Sequence, residues 1–248
     1  MTLALAALAL APGLVLGSFL NVVAARVPLR RSIVSPGSAC MSCGRPIAWY
    51  DNLPVLSYVL LRGRCRACRT SIALRYPAVE AATALLLCGC VLRFGATPRA
   101  AVAALFCAAL VAISAIDIEY RIVPNGIVLP TAVVVLAAQA AIEPSAEWAI
   151  GAAGAALFLF VALLAYPKGM GMGDVKLALL LGAALGRTVP VALMVGMLAA
   201  LVPAAMLFAR HGVAARKQAI PFAPFLALGG VVALFAGGVI LHAYMGLL

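Results

Sequence analysis

Long apolar runs alternate with short polar stretches along most of this chain of 248 residues. An apolar run of about 20 residues has the length of a helix that crosses a bilayer. The pattern predicts eight such helices, at about 3–25, 77–95, 100–117, 126–142, 147–166, 174–188, 190–209 and 221–246. The sixth run is short for a complete crossing. We therefore predict an all-α polytopic membrane protein with about eight transmembrane helices.

The composition supports this fold class. The chain is 66% hydrophobic and only 10% charged, which excludes a soluble globular domain. The first apolar run carries no charged side chain before Arg26. A secretory signal would place positive charges ahead of its apolar run. We therefore expect the first run to be retained as a spanning helix.

The positive charges are distributed unevenly along the chain. Nine of the 18 lysines and arginines lie between Arg26 and Arg75. Short basic loops remain in the cytoplasm, so eight alternating spans place all but Arg93, Arg99 and Arg187 on the inner side and both termini outside. The charge of +11 thus indicates orientation and contact with the lipid bilayer. No basic surface suited to nucleic acid is evident.

One sizeable polar insertion, residues 26–76, interrupts the apolar pattern and contains two Cys-x-x-Cys pairs. The pairs are Cys40 with Cys43 and Cys65 with Cys68. Four thiolates suit a tetrahedral structural Zn²⁺ ion, and disulfides rarely persist in the cytoplasm. Unligated or redox-active thiols are the alternative, which the paired spacing makes less favoured. A loop of this size would depend on the ion for its fold.

These patterns divide the chain into three predicted parts. The first transmembrane helix occupies residues 1–25, a small cytoplasmic loop domain with the four cysteines residues 26–76, and a seven-helix membrane domain residues 77–248. No internal repeat is evident in the sequence.

Two isolated acids lie at the ends of apolar runs. Asp117 ends the third run, and Asp174 follows Gly171 and Gly173 at the start of the sixth. Asp174 as a helix N-cap and Asp117 as an interfacial acid are the structural alternatives. However, an acid at a helix C-terminus opposes the helix dipole, which favours a functional role for Asp117. The predicted topology brings both acids to the cytoplasmic boundary, where two carboxylates can act as an acid–base pair.

Two basic residues stand close to these acids in the sequence. Lys176 and Arg121 are either counter-ions or side chains that reach from a helix end to the membrane interface. The second interpretation is favoured, because lysine and arginine are common near the ends of spans.

Several motifs, taken in order, resemble one family. They are Gly17–Asn21, the two cysteine pairs, Trp49–Pro54, Leu61–Cys65, Arg75–Glu80, Asp117 with its loop, Gly171–Asp174 and Pro221–Gly229. Together they are similar to bacterial prepilin peptidases, the type IV leader peptidase family of membrane aspartyl proteases of the GxGD type. The resemblance extends nearly from end to end.

The resemblance implies a function and a location. Such enzymes cut the basic leader from type IV pilus prepilins and type II secretion pseudopilins, after a glycine, at the cytoplasmic face of the bacterial inner membrane. Many then methylate the new N-terminus with S-adenosylmethionine, an activity associated with the cytoplasmic loop. The family's catalytic aspartates correspond to Asp117 and Asp174.

Further site residues follow from position and charge. Gly171 and Gly173 would let an extended substrate lie beside Asp174, and Glu119 would pair with the basic leader. Asn21, Asp51 and Glu80 are candidates to bind the methyl donor. Structural hydrogen bonds across helices are the alternative for Asn21 and Glu80.

Two other functional classes remain open. A membrane scaffold with a zinc-bearing loop would leave the two aspartates unused. A transporter would explain intramembrane acids, but the paired inverted halves typical of transporters are not evident.

Overall fold

The computed structural model describes residues 2–167, 169–212 and 220–246. Within these ranges the regular secondary structure is helical, as predicted. The helices are α1 (Thr2–Arg26), α2 (Leu56–Leu60), α3 (Arg75–Phe94), α4 (Pro98–Tyr120), α5 (Asn125–Ile142), α6 (Glu147–Ala165), α7 (Met172–Leu185), α8 (Val189–His211) and α9 (Ala223–Met245). Three residues assigned to the inner side, Lys168, Arg216 and Lys217, lie outside the described residues.

Seven segments of the described chain are long and apolar enough to cross a membrane. This number is one lower than the predicted eight, because Met172–His211 forms a single helical segment of 40 residues. A straight helix of that length would measure about 60 Å, twice the hydrocarbon core of a bilayer. The segment is broken, however, since Gly186 adopts a φ of 52° and a 3₁₀ turn, Gly186–Thr188, separates α7 from α8.

The helix after the break, α8, packs against α9 along its length. A Cβ placed on Gly237, in the second half of α9, would lie 3.0 Å from the side chain of Thr188, the residue just before α8. Further along α8, Gly196 packs against Phe225 and Leu226 near the start of α9. Helices α8 and α9 are therefore antiparallel. The predicted spans 174–188 and 190–209 correspond to α7 and α8, and α7 is only about 21 Å long.

By spatial contacts the chain divides into two compact units, Met1–Ala115 and Ile116–Leu248. In the first unit, α1 and α3 form an antiparallel pair with very close backbones. A Cβ on Gly17 would lie 2.6 Å from the Cα of Glu80. Asn21 Nδ2 donates to the Tyr76 carbonyl at 3.0 Å, so α1 ends beside the start of α3 and the polar insertion begins and ends at one place.

The second unit contains two further antiparallel pairs, α6 with α7 and α8 with α9. Gly182 of α7 faces the backbone of Gly151 and Ala152, and Gly229 of α9 faces the Ala192 carbonyl, so closely that no side chain fits. Small residues of this kind let membrane helices approach each other. The predicted division into 1–25, 26–76 and 77–248 stays a prediction.

Candidate active site and metal centre

Four cysteine thiols converge in the polar insertion between α1 and α3. The Sγ atoms of Cys40, Cys43, Cys65 and Cys68 all lie within 4.8 Å of one another. Cys40 Sγ is 3.7 Å from Cys68 Sγ. A tetrahedral ion with metal–sulfur bonds of about 2.3 Å requires sulfur atoms about 3.8 Å apart. The cluster therefore has the ligand number and spacing of a closed four-thiolate metal site.

The two Cys-x-x-Cys pairs share one backbone conformation. In each pair the first cysteine bonds, through its N–H and its C=O, to residues that follow the second cysteine. The bonds are Cys40 N–H to Arg45 O and Gly44 N–H to Cys40 O, then Cys65 N–H to Thr70 O and Arg69 N–H to Cys65 O. An isolated bridge closes each pair, Ala39 with Pro46 and Arg64 with Ser71. The two pairs therefore repeat one short backbone turn, which the sequence marks only by the spacing of its cysteines.

Hydrogen bonds favour the thiolate form at part of the cluster. The hydroxyl and amide of Thr70 lower the pKa of Cys68 to about 6. The amide of Cys43 and then that of Ser42 lower the pKa of Cys40 below its usual range. At Cys43 the Arg45 amide favours the thiolate, but the neighbouring Cys40 thiol and burial outweigh it and raise the pKa to about 11. A bound cation would displace the protons that these thiols share.

Asp51 is held by an arginine of the second cysteine pair. The Arg66 guanidinium donates to both carboxylate oxygens at 2.6 to 3.0 Å, a bidentate contact. It also lies 5.6 Å from the centre of the Tyr50 ring. The hydrogen bonds from Arg66 lower the pKa of Asp51 below its usual range. The ion pair between Asp51 and Arg66 therefore ties the 3₁₀ turn Trp49–Asn52 to the cysteine cluster.

The other two candidates for methyl-donor binding, Asn21 and Glu80, are buried and bonded within the first unit. Asn21 contacts the Tyr76 carbonyl, as described above. Glu80 Oε2 accepts the N–H of Val55 at 2.7 Å, and its side chain also bonds to Ser18. Val55 has a φ of 60°, a strained value for a β-branched residue. These bonds support the structural alternative for both side chains.

Asp117 lies in the last turn of α4 and is 6% exposed. Its Oδ2 accepts the N–H of Ala223 at 3.0 Å, and the Phe222 backbone also donates to it. Ala223 is the first residue of α9, so the carboxylate lies at a helix N-terminus, where the dipole stabilises negative charge. Arg121 is close enough to interact with it electrostatically. This contact supports the counter-ion alternative for Arg121.

Asp174 is the third residue of α7 and is partly exposed. Gly171 takes the N-cap position, so the N-cap alternative for Asp174 is wrong by three residues. Asp174 Oδ2 accepts the Gly171 N–H at 3.0 Å, and the Asp174 N–H donates to the Gly171 carbonyl at 3.1 Å. Because glycine has no side chain, only the acidic half of a capping box is formed.

The two carboxylates belong to the same compact unit and interact electrostatically. Each accepts backbone N–H groups at the start of a helix, Asp117 at α9 and Asp174 at α7. Two nearby carboxylates can hold a single proton, which leaves one as a base and the other as an acid. This arrangement can activate water and protonate a leaving group.

The two glycines before Asp174 have different surroundings. A Cβ on Gly173 would lie 2.9 Å from the Cβ of Val123, in the loop after α4. A Cβ on Gly171 would meet nothing closer than the Asp174 carboxylate at 3.7 Å. Gly173 therefore allows the loop after α4 to pack against the start of α7, and Gly171 is the glycine with open space beside it.

Substitution of these glycines by alanine is expected to separate the two roles. Gly173→Ala should lower the free energy of unfolding by about 1–3 kcal/mol, because the new methyl group overpacks against Val123. Gly171→Ala should cost less than about 1 kcal/mol. Thermal unfolding in detergent measures both variants, and Gly173→Ala combined with Val123→Ala should recover most of the loss. A larger loss from Gly171→Ala would contradict the assignment.

Two further charged residues lie at this end of the second unit. Glu119 is exposed on the last turn of α4. Lys176 Nζ donates to Asn125 Oδ1 at 2.8 Å and so joins α7 to the start of α5. Lys176 thus makes a structural contact between two helices, which neither interpretation from the sequence had named.

The contribution of α9 to the site was not predicted. The sequence does contain a signal, because Pro221 and Pro224 flank the start of this helix. Pro224 has no N–H, so the amides of Phe222 and Ala223 are the first donors of the helix that are available to an acid. Which acid they meet depends on the fold.

Helices long enough to span a membrane, a four-thiolate cluster and a pair of interacting carboxylates define a polytopic membrane protein of the aspartic peptidase type. The family comparisons agree. Residues 12–94 match the bacterial Peptidase A24 N-terminal domain, and residues 104–209 match the type IV leader peptidase family. The chain therefore belongs to the type IV leader peptidase family.

Similar proteins from several bacteria carry the name prepilin leader peptidase/N-methyltransferase. One from Burkholderia pseudomallei (strain 1026b) is 37% identical over 93% of this chain and 85% of its own length. One from Bacillus subtilis (strain 168) is 36% identical over 94% of this chain and 95% of its own length. One from Pseudomonas putida is 36% identical over 95% of this chain and 92% of its own length. No solved structure matches the chain.

Proposed function

We propose that this protein is an endopeptidase that removes the leader from prepilins and type II secretion pseudopilins, cutting after a glycine. The observation that carries the proposal is the pair Asp117 and Asp174, which belong to the same compact unit and each accept backbone N–H groups at the start of a helix. The names of the similar proteins supply the prepilin substrate. The pseudopilins and the cut after a glycine follow from the family resemblance of the sequence motifs.

The chemistry follows from the pair. The ionised aspartate takes a proton from water, and the protonated aspartate donates to the scissile amide. The water oxygen bonds to the carbonyl carbon and the C–N bond breaks, so no covalent intermediate with the enzyme forms. Backbone N–H groups hold each carboxylate in place. Gly171, which has open space beside it, offers the closest approach for an extended substrate.

We also propose that the protein methylates the new N-terminus with S-adenosylmethionine, as the names of its relatives imply. In the structure the three candidate residues make contacts with protein groups. Asn21 and Glu80 are bonded to neighbouring backbone and side chains, and Asp51 is taken up by Arg66. Their role in binding the donor stays a prediction, and none of the three is assigned a step in the methyl transfer.

The metal in the proposal is zinc. Cys40, Cys43, Cys65 and Cys68 would hold Zn²⁺, which favours four thiolates in tetrahedral geometry. The ion would contribute folding energy to the insertion, because the segment between α1 and α3 has only short helices of its own. A site closed by four protein ligands leaves no open position for substrate, so the ion has no catalytic role in the proposal.

The protein is a multi-pass membrane protein, and we place it in the bacterial inner membrane with the acid pair facing the cytoplasm. The basic residues between Arg26 and Arg75 support this orientation, because such loops are retained on the cytoplasmic side.

Glu119 is proposed to contact the basic leader. Glu119→Gln is expected to slow cleavage of a leader that carries lysine by about two- to fivefold, the effect of one exposed ion pair. A leader in which glutamine replaces lysine should be cut at nearly the same rate by both forms of the enzyme. Rates from mass spectrometry in detergent measure the difference, and equal slowing with both leaders would exclude the contact.

The proposed function is tested with the purified protein, a prepilin and S-adenosylmethionine in detergent. Loss of the leader and gain of one methyl group on the new N-terminus, both read by mass, are the expected results. A purified protein that is folded but leaves the prepilin intact would favour the alternative of a membrane scaffold. Ion-driven uptake of a solute into vesicles would favour the transporter.

A further inference from the structure

The segment Trp49–Leu60 exposes apolar side chains although it lies outside the membrane-length helices. Trp49 is 80% exposed, Leu60 70% and Val59 64%. Tyr50, Leu53 and Leu56 are also exposed. An exposed group of this kind, unlike single surface leucines, marks a surface that contacts a partner or a membrane.

The short helix α2 within this segment has its polar side inward. Leu56, Val59 and Leu60 share one face at helical spacing, and all three are exposed. Ser57, on the other face, is buried, and its hydroxyl donates to the Tyr50 carbonyl at 3.0 Å. A domain surrounded by water would have the opposite arrangement. The outer face of α2 is therefore built for an apolar environment.

The surroundings of this segment are strongly basic. The chain from Arg26 to Arg75 contains nine arginines and one acid, Asp51. Asp51 is already paired with Arg66. The arginines of the stretch that follows α2, namely Arg62, Arg64, Arg66 and Arg69, are all exposed. Exposed apolar side chains beside a basic stretch are the two features that bind an anionic membrane surface.

The position of the segment in the fold also fits contact with a membrane surface. The insertion leaves α1 and returns to α3 at one end of an antiparallel membrane pair, as the contact of Asn21 with Tyr76 shows. Glu80 of α3 also accepts the N–H of Val55, which holds the start of α2 beside the helix pair. The segment is thus attached to two spanning helices at the level where they leave the bilayer.

We propose that the segment Trp49–Leu60 lies in the interface of the bilayer, with Trp49 and the outer face of α2 among the acyl chains. The arginines after α2 bind anionic lipid headgroups. This inference is independent of the proposed function, since it concerns only how the insertion sits on the membrane. The membrane-proximal part of a prepilin is the other apolar partner that the segment could take, and the experiment distinguishes it.

The chain has two tryptophans, Trp49 and Trp148, so Trp148→Phe leaves Trp49 as the only indole reporter. The full-length variant is placed in nanodiscs of zwitterionic lipid, or of zwitterionic lipid with phosphatidylglycerol, each with and without bromine near the top of the acyl chains. Bromine should reduce Trp49 emission about twofold or more, and the reduction should be larger with phosphatidylglycerol at low salt.

Substitutions on the outer face of α2, compared with one exposed residue outside the segment, test which surface contacts the lipid. Asparagine at Leu56, Val59 and Leu60 should remove at least half of the quenching, whereas Val34→Asn, an exposed apolar residue of the same insertion outside the segment, should leave it unchanged. Trp49 emission that bromine does not change in either lipid would overturn the proposal. Quenching that appears only when a prepilin is added would also overturn it and would assign the surface to substrate.

Discussion

Asparagine in place of Asp117 or Asp174 is expected to lower the rate of leader cleavage by at least about a hundredfold, the smaller end of what general acid–base groups contribute. Each substitution removes a group that must exchange a proton with water or substrate, so either one alone should suffice. The measurement is leader loss from a purified prepilin, read by mass over time.

Asparagine is the appropriate substitution because it preserves the structural contact of each side chain. Its amide oxygen can still accept the Ala223 N–H at position 117 and the Gly171 N–H at position 174. Asp117→Ala would in addition remove a helix-capping acceptor, at a cost of about 0.5–2 kcal/mol. Unchanged thermal unfolding of the asparagine variants therefore separates lost catalysis from lost structure.

Glu147→Gln serves as the matched control. Glu147 is an acid of the same unit, but it begins α6 and lies beside Gly186, at the end of α7 away from Asp174. Its cleavage rate should equal that of the unsubstituted protein. If both aspartate variants cut as fast as this control, the acid pair is not catalytic, and other residues must carry the cleavage chemistry.

Removal of the proposed zinc ion is expected to unfold the insertion between α1 and α3 and to leave the membrane helices intact. Four-thiolate zinc sites contribute about 10–16 kcal/mol in small domains, which equals or exceeds the net stability of a typical domain of about 5–15 kcal/mol. The insertion has only the short helix α2, a 3₁₀ turn and two isolated bridges to replace that contribution.

Trypsin reports this unfolding directly, because the insertion carries arginines along its length. The purified protein should contain about one zinc ion per chain, given one four-thiolate cluster. Chelation or Cys65→Ser should make cleavage within the insertion at least about tenfold faster. Cys88→Ser, which changes a cysteine of α3 outside the cluster, is the control and should digest at the normal rate. Metal-free protein that resists trypsin equally well would contradict a structural role for the ion.

The residues that carry the proposed chemistry could be identified from the sequence, because the patterns that mark them involve only neighbouring residues. Apolar runs predicted the helices, and the two Cys-x-x-Cys pairs predicted a cluster whose sulfur atoms the fold brings together. The unfavourable position of Asp117 at the end of its own helix favoured a functional role for this acid. Its hydrogen-bond partner at the start of α9 lies 106 residues further along the chain, and no local pattern specifies it.

Other features depended on packing that the sequence pattern does not encode. Gly182 of α7 packs directly on the backbone of Gly151 and Ala152 of α6, and no local pattern specifies this contact. The turn between α7 and α8, by contrast, is marked in the sequence by Gly186, Arg187 and Thr188. Gly173 resembles a glycine that leaves space for substrate, yet Val123 occupies that side.

The sequence by itself determined an all-α membrane protein with a thiolate cluster and two isolated acids, because hydrophobicity, cysteine spacing and the cost of intramembrane charge act over a few neighbouring residues. Only the tertiary structure decided what each polar group bonds to. It placed Asp117 at the start of α9, Asp51 on Arg66 and Glu80 on Val55. Such partners are selected by helix packing, since a buried polar group must bond to whatever donor or acceptor the neighbouring element presents.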